Sequence, residues 1–245
     1  MTAMPLVLMY HSVEKYDSDP FRITVSPGRF ARQLDWLAAH GLAGVSMREL
    51  LRAQAEGNAR GLVGLTFDDG YEDFLSEVVP VLLRHRFTAT VFVLPGLLGT
   101  YNSWDAGAPR KPLMDADGVR WAAEQGMEVG SHSLGHRSLV GLDEAALWSE
   151  VADGKAALED VLGAQVSGFC YPYGHAGARE TAAVRRAGYD YACAIWRSGL
   201  TGRYALPRTY IGDRDGALRL SAKRARHRAR WPGRAGWAGW AGWAR

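Results

Sequence analysis

His132 and His136 stand four residues apart in Ser131-His132-Ser133-Leu134-Gly135-His136. At that spacing two imidazoles reach one ion whether the segment is a helical turn or a compact loop. Upstream, the adjacent carboxylates of Asp68 and Asp69 precede Gly70. Successive side chains of a strand point oppositely, but at a strand end the chain turns, so one carboxylate can join the metal while the other stays free. Two neutral imidazoles and one carboxylate, with positions left for water, form a donor set used for catalytic zinc, and iron, cobalt, nickel or manganese accept similar ligands. A water on such an ion has its pKa lowered towards about 7, and a neighbouring carboxylate that takes its proton leaves a nucleophile at neutral pH. This is hydrolytic chemistry. It also needs an oxyanion stabiliser, which backbone N–H groups in Tyr171-Pro172-Tyr173-Gly174 can supply, and a proton donor, which a histidine can supply.

The elements that must position these groups alternate short apolar runs with stretches of helical period. Apolar runs lie at 6–9, 61–67, 88–94, 127–131, 166–171 and 189–196. Helical stretches start at Ser26-Pro27 and at Ser46, where Ser46-Met47-Arg48-Glu49 fits a capping box, and recur over 72–86, 116–125, 143–162 and 177–187. Six or seven strand–helix units predict an α/β fold, a distorted or incomplete (β/α) barrel of about seven parallel strands, in preference to an open five-stranded sheet. In either architecture functional groups sit at the carboxyl ends of the strands. Tyr10-His11, Asp68-Asp69-Gly70, His132 with His136, and Tyr171 to Gly174 all follow apolar runs and so share that face.

With 245 residues, 47% hydrophobic and 22% charged, the chain suits one large globular domain and excludes a mostly disordered or collagen-like one. Cys170 and Cys193 are too few for a disulfide framework and are read as core. The net charge of +3 conceals an asymmetry, because residues 217–245 hold eight Lys and Arg and no acid while residues 1–216 carry a net −5. The apolar stretch from Pro5 to Tyr10 lacks the flanks of a secretory signal, and no apolar run reaches the roughly 18 residues of a membrane span. The expectation is a cytoplasmic protein, with attachment at the inner membrane surface left open.

These motifs resemble the polysaccharide deacetylase family, the NodB-homology or carbohydrate esterase family 4 domain, from about Pro5 to about Arg214. Thr66-Phe67-Asp68-Asp69-Gly70 matches its first motif and the His132 to His136 segment its second. The resemblance implies removal of N-acetyl groups from an N-acetylated carbohydrate, whether polymer, oligosaccharide or lipid-linked glycan, with one divalent metal ion, zinc by default. It further implies Asp68 as catalytic base and Asp69, His132 and His136 as metal ligands. Phe169-Cys170-Tyr171-Pro172-Tyr173-Gly174 resembles the third motif, so Tyr173 inherits the backbone N–H that meets the oxyanion.

The chain departs from the family in two places. Cys170 stands where the third motif carries an arginine that orients the catalytic aspartate, and Arg208 is a candidate replacement. The last motif's histidine is missing from Leu206-Pro207-Arg208. A subgroup acting on poly-N-acetylglucosamine carries an N-terminal Tyr-His that takes over the general acid, and Met9-Tyr10-His11-Ser12 looks like that element, which makes His11 the acid. Substrate contacts are expected from Trp104 in the long 96–112 loop, from Trp196 after a strand and from Arg208, whereas Trp36, Trp121 and Trp148 are read as core.

Residues 1–216 thus make the catalytic domain. Residues 217–245 read as a basic, Trp- and Gly-rich tail without stable structure, suited to peripheral contact with an anionic membrane. Nothing in the chain reads nucleic-acid sequence, and the acidic body argues against such binding. Two further readings are a glycan-binding domain that has lost turnover, suggested by the altered motifs, and an O-acetyl esterase or non-sugar amidase using the same machinery.

Overall fold

The computed structural model describes residues 4–195 and 200–231. The first half holds β1 (Val7–Tyr10), β2 (Ser12–Val13), β3 (Thr24–Val25), α1 (Pro27–Ala39), β4 (Ala43–Val45), α2 (Met47–Ala55), β5 (Leu62–Phe67), α3 (Val79–His85) and β6 (Thr90–Val93). The second half holds α4 (Ala116–Glu124), β7 (Glu128–Ser131), α5 (Glu144–Trp148), α6 (Gly154–Leu162), β8 (Gly168–Cys170), α7 (Ala178–Arg186), β9 (Tyr191–Ile195), β10 (Leu206–Tyr210) and α8 (Ala217–Arg230). A π-helical turn, Phe74–Val78, leads into α3, and another, Ser149–Asp153, joins α5 to α6 into the continuous rod that the sequence predicts over 143–162.

All strand pairs of the main sheet are parallel, and their order β1-β10-β9-β8-β7-β6-β5 returns to β1. The result is a closed seven-stranded (β/α) barrel, with β4 an extra strand on the first half of β5. Closure decides between the distorted and the incomplete ring. It depends on β10, which the apolar pattern conceals because Pro207 interrupts it; β1 pairs with this strand only at Thr209 and Tyr210, past the proline.

Apolar side chains fill both the shell between barrel and helices and the amino-terminal end of the lumen. Phe30, Leu34, Leu65, Val91, Val129 and Leu158 pack the shell. Val7, Phe92, Tyr191, Cys193 and Leu206 belong to the second cluster, a floor that keeps water from the polar layer above it. Ser46 caps α2 by accepting from the Glu49 N–H at 3.2 Å, but the Glu49 carboxylate accepts from Thr88 Oγ1 instead of closing the expected box. Trp36 is core as expected, whereas Trp121 is 39% exposed, because α4 turns it to solvent.

The expected boundary at residue 216 also shifts. Residues 217–230 form α8, anchored by the buried Leu220, by Lys223 Nζ on the Tyr210 carbonyl at 2.6 Å, and by His227 Nε2 at 3.0 Å from the Met4 carbonyl oxygen. This stretch is therefore part of the folded body, while the Gly-Trp-Ala repeat lies outside the described residues. Among the described residues no helix is long and apolar enough to cross a membrane.

Candidate active site

Four strand ends deliver the polar groups to one mouth. The Asp68 N–H continues the ladder of β5 onto the Tyr10 carbonyl of β1 at 3.0 Å, and the His132 N–H continues β7 onto the Val93 carbonyl of β6 at 2.8 Å. Beyond these last rungs the backbone turns into left-handed conformations. Asp69 (φ 74°), Ser133 (φ 72°), His136 (φ 60°) and Tyr173 (φ 59°) are four of the six non-glycine residues of positive φ among those described. Each such residue costs of order 1–2 kcal/mol, so packing around the mouth must hold the motifs in place. Gly174 shows how: at φ 69° it lies against Ile195 so closely that a Cβ would sit 2.2 Å from Cγ2.

The left-handed turn at Asp69 swings its carboxylate away from that of Asp68. Asp69 Oδ1 lies 3.3 Å from Nε2 of both His132 and His136. All three residues are buried, and this oxygen makes no hydrogen bond. His132 Nδ1 is 2.8 Å from the Cys170 carbonyl oxygen; a carbonyl can only accept, so the proton resides on Nδ1 and the Nε2 lone pair faces Asp69. A buried carboxylate oxygen and two imidazole Nε2 atoms converging on it form a donor set fit for a divalent cation. A second cluster, Asp68, His132 and Cys170, is as compact but fits less well. Burial pushes the Cys170 thiol well above its ordinary range, so it stays protonated, and Asp68 is already paired.

That pairing is with Arg208, reaching in from β10. Nη1 donates to Asp68 Oδ1 at 2.6 Å and Nη2 to Oδ2 at 2.8 Å, a bidentate fork, while Nη1 also donates to Thr66 Oγ1 at 3.1 Å and Nε to the Ala194 carbonyl at 3.2 Å. Burial alone would raise the Asp68 carboxyl; the Arg208 guanidinium outweighs it and holds the group below the ordinary carboxylate range. Asp68 is thus ionised, fixed in orientation and 3% exposed at the floor of the mouth. His11, past the end of β1, brings Nε2 to 3.9 Å from Asp68 Oδ2.

Aromatic rings make the rim. Trp104 stacks on His136 with centroids 4.3 Å apart, and Tyr173, half exposed, meets the same imidazole edge-on at 4.9 Å. The His136 imidazole is therefore in ring contact with both Trp104 and Tyr173.

A family model described as polysaccharide deacetylase matches residues 55–192, over half of the chain. The protein belongs to the polysaccharide deacetylase family. It is therefore a hydrolase of carbon–nitrogen bonds. Among relatives, this deacetylase is 26% identical over 210 residues to YxkH of Bacillus subtilis, covering 84% of this chain and 70% of the other. It is 22% identical over 203 residues to the poly-beta-1,6-N-acetyl-D-glucosamine N-deacetylase of Staphylococcus aureus, covering 78% and 68%. In fold it is similar to the Streptococcus pyogenes deacetylase PplD, with a TM-score of 0.77, 22% identity and coverage of 91% and 99%. IcaB from Ammonifex degensii gives 0.71, 23% identity and coverage of 90% and 97%.

Of the residues singled out in the deacetylase sequence, Asp68, Asp69, His11, His132, His136, Tyr173 and Trp104 do meet at one mouth. Arg208 does not line it. At 2% exposure, with its guanidinium spent on Asp68, Thr66 and Ala194, it corrects the expected substrate contact and instead occupies the orienting role left open by Cys170. Trp196 lies outside the described residues. The pattern missed a brace behind the site: Asp73 accepts from Ser12 Oγ at 2.5 Å and from the Val13 N–H at 3.0 Å, while Lys111 Nζ donates to the same hydroxyl at 2.8 Å and pairs with Glu14. It also missed Asp105, a loop carboxyl raised first by partial burial and then by the charge of Asp69. Neither has a spacing signal, since both depend on contacts between segments distant in sequence.

Proposed function

We propose that this protein is a metal-dependent N-deacetylase of N-acetylated carbohydrate. The observation that carries the reading is the hydrogen-bond-free Asp69 Oδ1, 3.3 Å from two imidazole Nε2 atoms, beside an Asp68 carboxylate that takes no part in the cluster. Asp69, His132 and His136 would hold one divalent cation, zinc by default with nickel, cobalt, iron or manganese as alternatives. Such an ion supplies Lewis acidity towards the acyl oxygen and acidifies water.

The chain's own groups do the rest. Asp68, ionised and aimed by Arg208, takes the proton of the attacking water. The Tyr173 N–H, turned by the left-handed backbone at that residue, donates to the oxygen on which negative charge develops. His11 protonates the departing amine, without which an amide nitrogen is too basic to leave. Its 3.9 Å distance from Asp68 Oδ2 keeps base and acid on the same side of the mouth. Trp104 and Tyr173 offer flat faces for a sugar ring. Support for a glycan comes from the staphylococcal relative, whose name specifies poly-beta-1,6-N-acetyl-D-glucosamine.

The test is acetate release from β-1,6- and β-1,4-linked N-acetylglucosamine oligomers of graded length. The expected result is release that stops on chelation, returns with added metal and is lost in Asp68→Asn. Undiminished release from Asp68→Asn, or metal-independent release, would overturn the reading.

A further inference from the structure

Helix α8 turns a mixed face to solvent that the catalytic reading leaves unused. Leu218, Ala222, Ala225 and Ala229 recur at the spacing of one helix face, and all four are exposed, Leu218 at 87%. Rotating by 3.6 residues per turn, Arg219, Arg226 and Arg230 line one flank of this apolar strip and Arg224 and Arg228 the other. The opposite face holds the helix to the barrel through Leu220, Lys223 and His227. No acid occurs from Ala217 to Arg245. The two nearest in sequence, Asp213 and Asp215, are occupied by Ser26 and by Lys223 with the Gly212 N–H, and Asp19, which shares a cavity with Arg219 and Arg226, accepts from the Ile23 and Thr24 N–H groups.

We propose that this face of α8 docks on an anionic lipid bilayer. An apolar strip bordered on both sides by arginines matches a surface in which phosphates overlie hydrocarbon, and long guanidinium side chains reach such phosphates from the flanks of a lying helix. Past the helix the sequence continues with Trp237, Trp240 and Trp243, the residue type that settles at the headgroup level. A nucleic acid or a soluble polyanion would use the arginines but give the apolar strip nothing to enter. One leucine and three alanines bury little area, so charge must dominate, at about 1 kcal/mol for each Lys or Arg near an anionic surface. The attachment therefore requires anionic lipid and weakens with salt. The helix leaves the catalytic end of β10 and ends with Trp231 packed on the floor cluster of Met4 and Val7. A docked α8 thus lays the barrel on its side, with the catalytic rim beside the membrane surface. This inference stands apart from the chemistry assigned to the mouth.

The test is co-sedimentation of the full chain with vesicles of phosphatidylcholine alone and of phosphatidylcholine with a quarter phosphatidylglycerol. Binding is expected only to the anionic vesicles, with release at about 0.5 M salt, where screening is nearly complete over a few ångströms. Arg219→Gln/Arg226→Gln/Arg228→Gln should lose roughly 100-fold in vesicle affinity, and Leu218→Asp/Ala225→Asp should lose binding too, both with unchanged thermal unfolding and unchanged hydrolysis of soluble substrate. Equal binding to neutral vesicles, unaltered binding by both variants, or binding to heparin but not to vesicles would overturn the proposal.

Discussion

Arg208→Met isolates the contact on which the base depends. The substitution preserves bulk while deleting the fork that binds both oxygens of Asp68 at 2.6 and 2.8 Å. What remains near the carboxylate is a protonated Cys170 thiol 3.6 Å from Oδ1 and the His11 ring 3.9 Å from Oδ2, neither a replacement for a buried guanidinium. Leaving one charge of a buried pair costs about 3–5 kcal/mol. For a chain of this size each kcal/mol shifts the midpoint by about 2–4 °C, so thermal unfolding should fall by roughly 6–20 °C. Asp68→Asn/Arg208→Met removes both charges and should recover most of that loss, giving a coupling of about 2 kcal/mol or more in the double-mutant cycle. In kinetics the single variant should lose kcat with KM little changed, because Arg208 acts through Asp68 and never touches the glycan. Additive stability losses in the cycle, or a raised KM with kcat intact, would refute this account.

His11→Gln should lower N-acetyl hydrolysis by about 10²–10⁴-fold yet spare an aryl acetate, whose leaving group needs no proton; equal losses on both would remove His11 from the acid's role. Asp68 and Asp73 should shift stability with pH in opposite senses, measurable as unfolding midpoints across pH. The Asp68 carboxyl, held low in the fold, stabilises above the unfolded value of about 4 and loses that contribution as pH falls. Asp73 is pushed up to about 6 by burial, so the folded chain holds its proton more tightly, stability declines as pH rises between about 4 and 6, and Asp73→Asn should flatten that decline. Gly174→Ala places a methyl group 2.2 Å from Ile195 Cγ2 at a left-handed residue and should cost about 2–4 kcal/mol in denaturant unfolding, with activity lost as Tyr173 moves.

The parts legible in the sequence are those encoded by short-range pattern. Asp68-Asp69-Gly70 and His132 to His136 follow apolar strands, so their meeting at one mouth follows from parallel topology alone. The Arg208 contact is less legible because it joins residues 140 apart through a strand disguised by Pro207, and only the absence of the usual arginine at Cys170 hinted at it. The brace of Asp73, Ser12 and Lys111 has no periodicity to betray it, since it joins β2, the start of the π-helical turn and the 96–112 loop, segments distant in sequence. Residues 217–230 look solvated in an arginine-rich sequence, yet arginine and alanine are good helix formers and a single buried leucine, Leu220, seats the element.

β10, the last of the described strands, carries the partner of a residue 140 positions earlier in the chain. Until β10 inserts between β9 and β1, Asp68 has no counter-ion and the ring has a gap along one side. Sealing the cylinder and arming the base are consequently a single event, and a chain truncated before Arg208 should be neither closed nor partly active.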